Sequence, residues 1–328
     1  QAQVELAGTL SLLWGPLAPG APMRQPAVAF TQITSSVDAH GICTVLLNRP
    51  HLRNAFSRVM TYEVDRAFDE ACDNPDVKVI VLLGAGEHFC SGHDLGSKEH
   101  LADLQSRSYE SMGFPGPGGD YKKWSDTDVE TAFGCRSGDA RLQCSTMKGV
   151  LNCHISHEIH GRSSRMCLKW RQLPKPVICG VKGFTIYHGC AVMSIADVVV
   201  AADDSKIMPS LVEYTSLPWD LALNTRKAKE IMMLQRFILA DEAEQLGLIN
   251  RVVAKANLER EVYAMARGVA RADPFHLRMM KLAANQAQDS AGMSTHVRST
   301  TSLWMPHCWG RKLDSREALW KSTGACLR

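Results

Sequence analysis

The stretch Gly84–Leu95, GAGEHFCSGHDL, decides the fold. An apolar run, Val77–Leu83 (VKVIVLL), leads into it and predicts a buried parallel strand. Three glycines follow, Gly84, Gly86 and Gly92, and glycine lets a backbone turn sharply or approach a ligand closely. Leu95 and Gly96 read as the start of a helix, with Asp94 as its candidate N-cap. A strand that enters a helix through such a loop aims backbone N–H groups at one point, and that point can hold a negative oxygen. The expected donor is the N–H of His93. An ordinary β–α turn has the same spacing, so the rest of the chain has to decide.

A second stretch does so. Val177–Ala202, VICGVKGFTIYHGCAVMSIADVVVAA, reads as strand, glycine turn, short apolar helix, Asp197 and strand. With NRPHLRNAF (Asn48–Phe56), LPKP (Leu173–Pro176), RKAKEIM and ADEAEQLGLINRVV, it resembles the crotonase superfamily, the enoyl-CoA hydratase/isomerase fold. The motifs run in collinear order from about Ile42 to about Asp289. The SGHDLG stretch is most similar to an actinobacterial-type hydratase subgroup. The fold class implied is α/β, a crotonase-like superhelix of ββα units with a C-terminal helical oligomerisation region.

Composition is compatible with this. The chain has 328 residues, 45% of them hydrophobic, enough for a sizeable core. Lys+Arg number 37 against 34 Asp+Glu, which gives no general case for nucleic acid. The apolar runs fall well short of the roughly 20 residues that span a membrane. The 11 cysteines are scattered without a C-x-x-C pair, which points to a reducing, cytoplasmic setting. No metal site is expected. The CHISHEIH cluster (Cys153, His154, His157, His160) reads as a helix surface, because its three histidines drift around a helix.

The expected organisation has three parts. Residues 1–26 read as a tag or flexible extension. Residues 27–253 form the core, with a variable insert at 97–164 containing GFPGPGGD (Gly113–Asp120). Residues 254–328 form a C-terminal helical region. Two strands, AFTQI and CTVLLN, are expected before Pro50, and Ser57 is expected to cap a helix through Cys72. Helices are expected over Arg226–Leu234, Ala240–Leu246, Asn257–Arg271 and Pro274–Ala287. The residues from Ser290 onward carry no motif.

The chemistry follows from the resemblance. Family members bind an acyl-CoA thioester and stabilise the enolate oxygen with two backbone N–H groups. By motif these fall at His93 and at His188, just before Gly189. The family pattern has glycine at 188, so a histidine beside Tyr187 is expected to strain the turn, crowd the thioester or lend its imidazole to proton transfer. Standard hydratases use two glutamates, but the corresponding positions here are Ala191 and Ser210 or Leu211, without an acid. Glu213 and Asp220 are the nearby substitutes, each weighed against a role as a loop carboxylate or helix cap. Coenzyme A is expected to meet Arg53, Asn54, Ala55, Gly92, Asp94, Leu95, Gly96 and Gly189. Arg226 and Lys227 are further candidates for its phosphates.

No cofactor is expected beyond the coenzyme A carried by the substrate. The expected assembly is a homotrimer or homohexamer. The first functional reading is hydration or dehydration of an enoyl-CoA. The alternatives are an enoyl-CoA isomerase, a retro-aldol lyase, or a catalytically degenerate acyl-CoA-binding paralogue.

Overall fold

The structure is a computed structural model that describes residues 29–94, 97–99, 163–209 and 214–303. The chain divides into two compact units, Gln1–Phe30 and Thr31–Arg328. The expected extension at 1–26, Leu95, Gly96, most of the 97–164 insert with its Cys153/His154/His157/His160 cluster, and Ser210–Glu213 lie outside the described residues.

The described sheet has the order β1-β2-β3-β4-β6-β9. Its strands are β1 (Ile33–Val37), β2 (Ile42–Leu47), β3 (Val79–Gly84), β4 (Val177–Val181), β6 (Val198–Ala202) and β9 (Arg251–Val253). Only the β1–β2 pair is antiparallel; the others run parallel. A second sheet orders β5 (Phe184–Tyr187), β7 (Lys206–Pro209) and β8 (Ile238–Leu239).

Strand β3 is buried along its whole length, as its unbroken apolar sequence requires of a strand covered on both faces. Its alternate residues Val79, Val81 and Leu83 join Ile42, Ile178 and Val200 in one cluster. Leu258, Val262 and Ala266 of helix α7 (Leu258–Val269) cover them at helical spacing.

Helix α1 (Arg58–Asp73) crosses from β2 to β3. Ser57 caps it by accepting the Met60 N–H at 3.1 Å, and the helix ends at Asn74. Helix α2 (163–171) brings Trp170 edge-on to Phe68 of α1, with ring centroids 5.6 Å apart. The short helices α3 (His188–Ser194) and α4 (Leu217–Asp220) precede α5 (Thr225–Leu234) and α6 (Ala240–Gln245).

One expectation needs correcting. The first strand begins at Ile33, where the AFTQI segment ends. Residues just before it are taken by a side chain: Glu63 of α1 accepts the N–H groups of Thr31 and Gln32 and the Thr31 hydroxyl, each at 2.8 Å. In the expected C-terminal helical region, α9 (Met293–Leu303) follows α8 (Pro274–Ser290) although the residues after Ser290 carry no motif. Two residues of α9, Met293 and Val297, one turn apart, are buried.

Helix α8 is held to the core by polar contacts. Lys281 bonds Asp197 at 2.8 Å, and Arg171 reaches Asp289, Gln288 and the Asn285 carbonyl. Asp197 also accepts the Val177 N–H at 2.7 Å, so one carboxylate ties β4 to α8.

Candidate active site

The site forms where loops leave the C-terminal ends of β2 and β3, beside the entry to α3. The loop after β2 is locked from inside. Arg53 and Asn54 take left-handed φ values of 51° and 54°. The fully buried Asn54 side chain accepts the Arg49 N–H and donates to the carbonyls of Ala85 and His88, all at 2.9 Å. Asn54 therefore joins the β2 loop to the β3 loop, and its amide is spent within the protein.

Arg49 makes a second connection. Its guanidinium donates to the Ala55 carbonyl at 2.6 Å, to Asp94 at 2.9 Å and to Glu99 at 2.9 Å. The Arg49 and Asp94 side chains are 2% and 4% exposed, so this is a charge pair removed from water. Asp94 also accepts the Ser97 N–H at 2.8 Å, the bond an N-cap makes. Bonds from Arg49 and His51 hold the Glu99 carboxyl below its usual range. Arg53 is exposed and lies over the Phe184 ring at 5.7 Å. Ala55 is half-buried.

The β3 loop is stitched to both neighbours. Cys90 bridges Thr185, donating to Phe184 O at 2.9 Å and accepting from Ile186 at 3.0 Å. His93 bridges Phe56: Phe56 donates to Gly92 O at 2.8 Å, and Asp94 donates to Phe56 O at 2.9 Å. In such a parallel bridge the flanking residues bond the partner strand, and the central residue's own N–H points the other way. The His93 N–H is therefore turned away from Phe56.

Gly92 has φ 103°, which an L side chain rarely adopts. A Cβ built on it would stand 3.9 Å from the His188 N. The two expected donor segments thus come together. His188 is the first residue of α3, where the helix ladder leaves N–H groups for other acceptors.

The backbone strain falls one residue before the expected place. Tyr187 takes φ 48°, ψ −110°, a conformation costing of order 1–3 kcal/mol for a bulky residue. The His188 ring is fully buried. It stacks on the His93 ring with centroids 4.1 Å apart and meets the Phe56 ring edge-on at 4.8 Å. Ala191 is buried one turn further along α3 and brings no titratable group.

Asp220 is half-buried at the end of α4. Loss of solvent raises its carboxyl pKa, against the lowering effect of hydrogen bonds from Ser216 and Ser194. The Ser216 bond is 2.7 Å. Ser194 lies six residues beyond His188 on α3, roughly 9 Å along the axis. The structure therefore anchors Asp220 near the far end of α3. Glu213 lies outside the described residues.

A raised folded-state pKa means Asp220 favours folding most when protonated, and that contribution is lost as pH rises through the folded value. Asp220→Asn is expected to flatten the stability-versus-pH curve just above the ordinary aspartate range. Urea unfolding at several pH values measures it, and unchanged curvature would contradict it.

An open groove lies between Val37–Gly41, Asn74–Lys78 and Arg267–Asp273. It faces the N-terminal ends of β2 and β3, opposite the loops that carry His93 and His188. Among the described residues, no group of three or more His, Cys, Asp or Glu could hold a metal ion.

The clearest site residue missed by sequence reasoning is Arg49, which appears in the NRP motif without a visible partner. Its partner Asp94 is 45 residues away, and only the fold unites them.

Comparisons with known proteins give the family and the fold. The chain matches the enoyl-CoA hydratase/isomerase family over residues 38–114 and 151–303. It is 29% identical over 269 residues to EchA13 of Mycobacterium tuberculosis, which carries an enoyl-CoA hydratase name; the match covers 79% of this chain and 74% of that protein. A crystal structure of a probable enoyl-CoA hydratase from Mycobacterium smegmatis is 30% identical, with TM-score 0.64, covering 87% of this chain and 97% of that one. An enoyl-CoA hydratase/isomerase structure from Xanthobacter autotrophicus Py2, 22% identical, has TM-score 0.64 and covers 90% of this chain and 94% of that one, a likeness of fold.

Proposed function

Because the chain belongs to the enoyl-CoA hydratase/isomerase family, we propose that it acts on an acyl-CoA thioester through an enolate held by the His93 and His188 N–H groups. The reaction is hydration of an enoyl-CoA, or its reverse. The single observation that carries this reading is the convergence of the two donor segments, with the Gly92 Cβ position 3.9 Å from the His188 N. Each preorganised donor is worth about 3–4 kcal/mol in the transition state. Coenzyme A arrives as part of the substrate, and no other cofactor is needed.

The pantetheine and adenine lie along the β2 and β3 loops. Arg53 is exposed there and can meet a phosphate, while Ala55, Gly92 and Gly189 offer backbone. Asn54 and Asp94 act from behind, keeping the two loops in register through the bonds to Arg49, Ala85 and His88. Leu95 and Gly96, next in the sequence, are proposed to meet the coenzyme as well. Asp220 and Glu213 are the carboxylates proposed to assist proton transfer; burial raises the Asp220 carboxyl above its ordinary range. The test is turnover of a panel of 2-enoyl-CoAs by the wild type, Asp220→Asn and Glu213→Gln. Formation of 3-hydroxyacyl-CoA is expected. A chain that neither binds nor converts any member contradicts the reading, and full activity in both variants removes the carboxylates from it.

The protein is further proposed to assemble as a trimer or a dimer of trimers in the cytoplasm. The described cysteines are free thiols, which suits a reducing compartment. No described helix is long and apolar enough to cross a membrane. Helix α8 exposes Phe275, Met279 and Leu282 at helical spacing, a stripe that an oligomer would cover. Phe275→Asp with Met279→Asp is expected to shift the sedimentation coefficient to that of a smaller species. A monomeric wild type would contradict it.

A further inference from the structure

We propose that the imidazole of His93, and not only its backbone N–H, transfers the proton during the reaction, in place of the acid absent at Ala191. This inference rests on the reading above and identifies a catalytic residue within the same site. Three observations carry it.

The first is position. The His93 ring lies against the ring of His188, so the two residues whose N–H groups are proposed to hold the enolate oxygen also bring their imidazoles together. The second is the contrast between the two stacked rings. His188 is fully buried between His93 and Phe56 and acts as a wall. The His93 ring, flat against it at 4.1 Å and 15°, belongs to a residue that is only half-buried. The third is support. Ser163 of α2 places its hydroxyl oxygen 3.5 Å from His93 Nε2, so the ring is set between a hydroxyl and an aromatic face. Ala191 lies one turn from His188 on α3 and leaves the proton-transfer work on that side to another group.

The step balances without a further reactant. A water molecule gives its proton to the His93 imidazole while its oxygen bonds Cβ of the enoyl thioester. The π pair moves to form the enolate, whose oxygen is held by the His93 and His188 N–H groups. The imidazolium then returns the proton to Cα, and the thioester carbonyl reforms. One water has added across the double bond, and the ring is neutral again. Because one group gives and takes the proton, addition occurs on one face of the double bond.

The experiment compares wild type, His93→Gln and His93→Ala in two assays: hydration of 2-butenoyl-CoA, and exchange of the α-protons of butanoyl-CoA in D2O. Both variants retain the backbone donor, so calorimetric binding of butanoyl-CoA is expected to be unchanged. Hydration and exchange are both expected to fall by about 100-fold or more, the usual share of general acid–base catalysis. Added imidazole is expected to restore part of the His93→Ala rate, which a merely structural role for the ring would not allow. Wild-type hydration with full hydration and exchange in His93→Gln would overturn the inference and leave the proposed function standing. Wild-type inactivity in both assays would overturn both. Loss of butanoyl-CoA binding in both variants, with no imidazole rescue, would assign the ring to packing and overturn the inference.

Discussion

Replacing Arg49 by methionine is expected to lower folding stability by about 3–5 kcal/mol, because it leaves the Asp94 carboxylate buried without its counter-charge. The two side chains are 2% and 4% exposed. Asp94 retains the Ser97 N–H and hydroxyl at 2.8 and 2.6 Å, which limits the loss. The same change frees the Ala55 carbonyl and so loosens the β2 loop against the β3 loop. Affinity for acyl-CoA is therefore expected to fall together with turnover. Urea denaturation of Arg49→Met against wild type measures the stability term. Asp94→Asn, with the guanidinium left behind, is expected to be similarly costly. The double variant Arg49→Met/Asp94→Leu is expected to recover part of the loss, since no charge is then stranded. A loss below about 1 kcal/mol in Arg49→Met would show that the pair is solvated and not structural.

Gly189→Ala is expected to lower kcat by about 100- to 1000-fold, the effect of losing one oxyanion donor. A Cβ at this position would lie 2.6 Å from the Cys90 carbonyl oxygen and 2.8 Å from the Cys90 Cβ. The nearest obstruction is backbone, held by the bonds Cys90 makes to Phe184 and Ile186, and it cannot swing aside. The start of α3 must move instead, and the His188 N–H moves with it. Gly268→Ala on α7 provides the control. Nothing stands within 4 Å of its Cβ position, so the same substitution there should leave turnover unchanged. It should also stabilise the helix by roughly 0.5–1 kcal/mol. Equal kcat in Gly189→Ala and wild type would mean that α3 does not carry the second donor.

Much of this was legible in the sequence because it is local. Ser57 caps α1 and Asn74 ends it, as their residue types suggest. The apolar run ending at Leu83 could only be a strand covered on both sides. The pairing of His93 with His188 was implied by the resemblance to the crotonase superfamily, and the structure brings the Gly92 and His188 segments together. Long-range polar contacts were not legible. Glu63 draws Thr31 and Gln32 out of the expected first strand from 31–32 residues away, and nothing in AFTQI announces it. The bounds of helix α9, within the expected C-terminal helical region, were not legible because MSTHVRSTTSL is mostly polar; Met293 and Val297 are buried by tertiary contact. The strain at Tyr187 was expected at His188, because residue type alone does not say which peptide of a turn reverses.

The most direct test of the central claim uses two ligands that differ at one atom. Butanoyl-CoA presents a thioester carbonyl to the His93 and His188 N–H groups, whereas S-butyl-CoA, the thioether, has no oxygen there. Calorimetric titration of the wild type with each is predicted to show the thioester binding about tenfold more tightly or better, the net worth of two hydrogen bonds. In Gly189→Ala the difference is predicted to shrink. Equal affinity of the wild type for both ligands would contradict an oxygen site between the two amides.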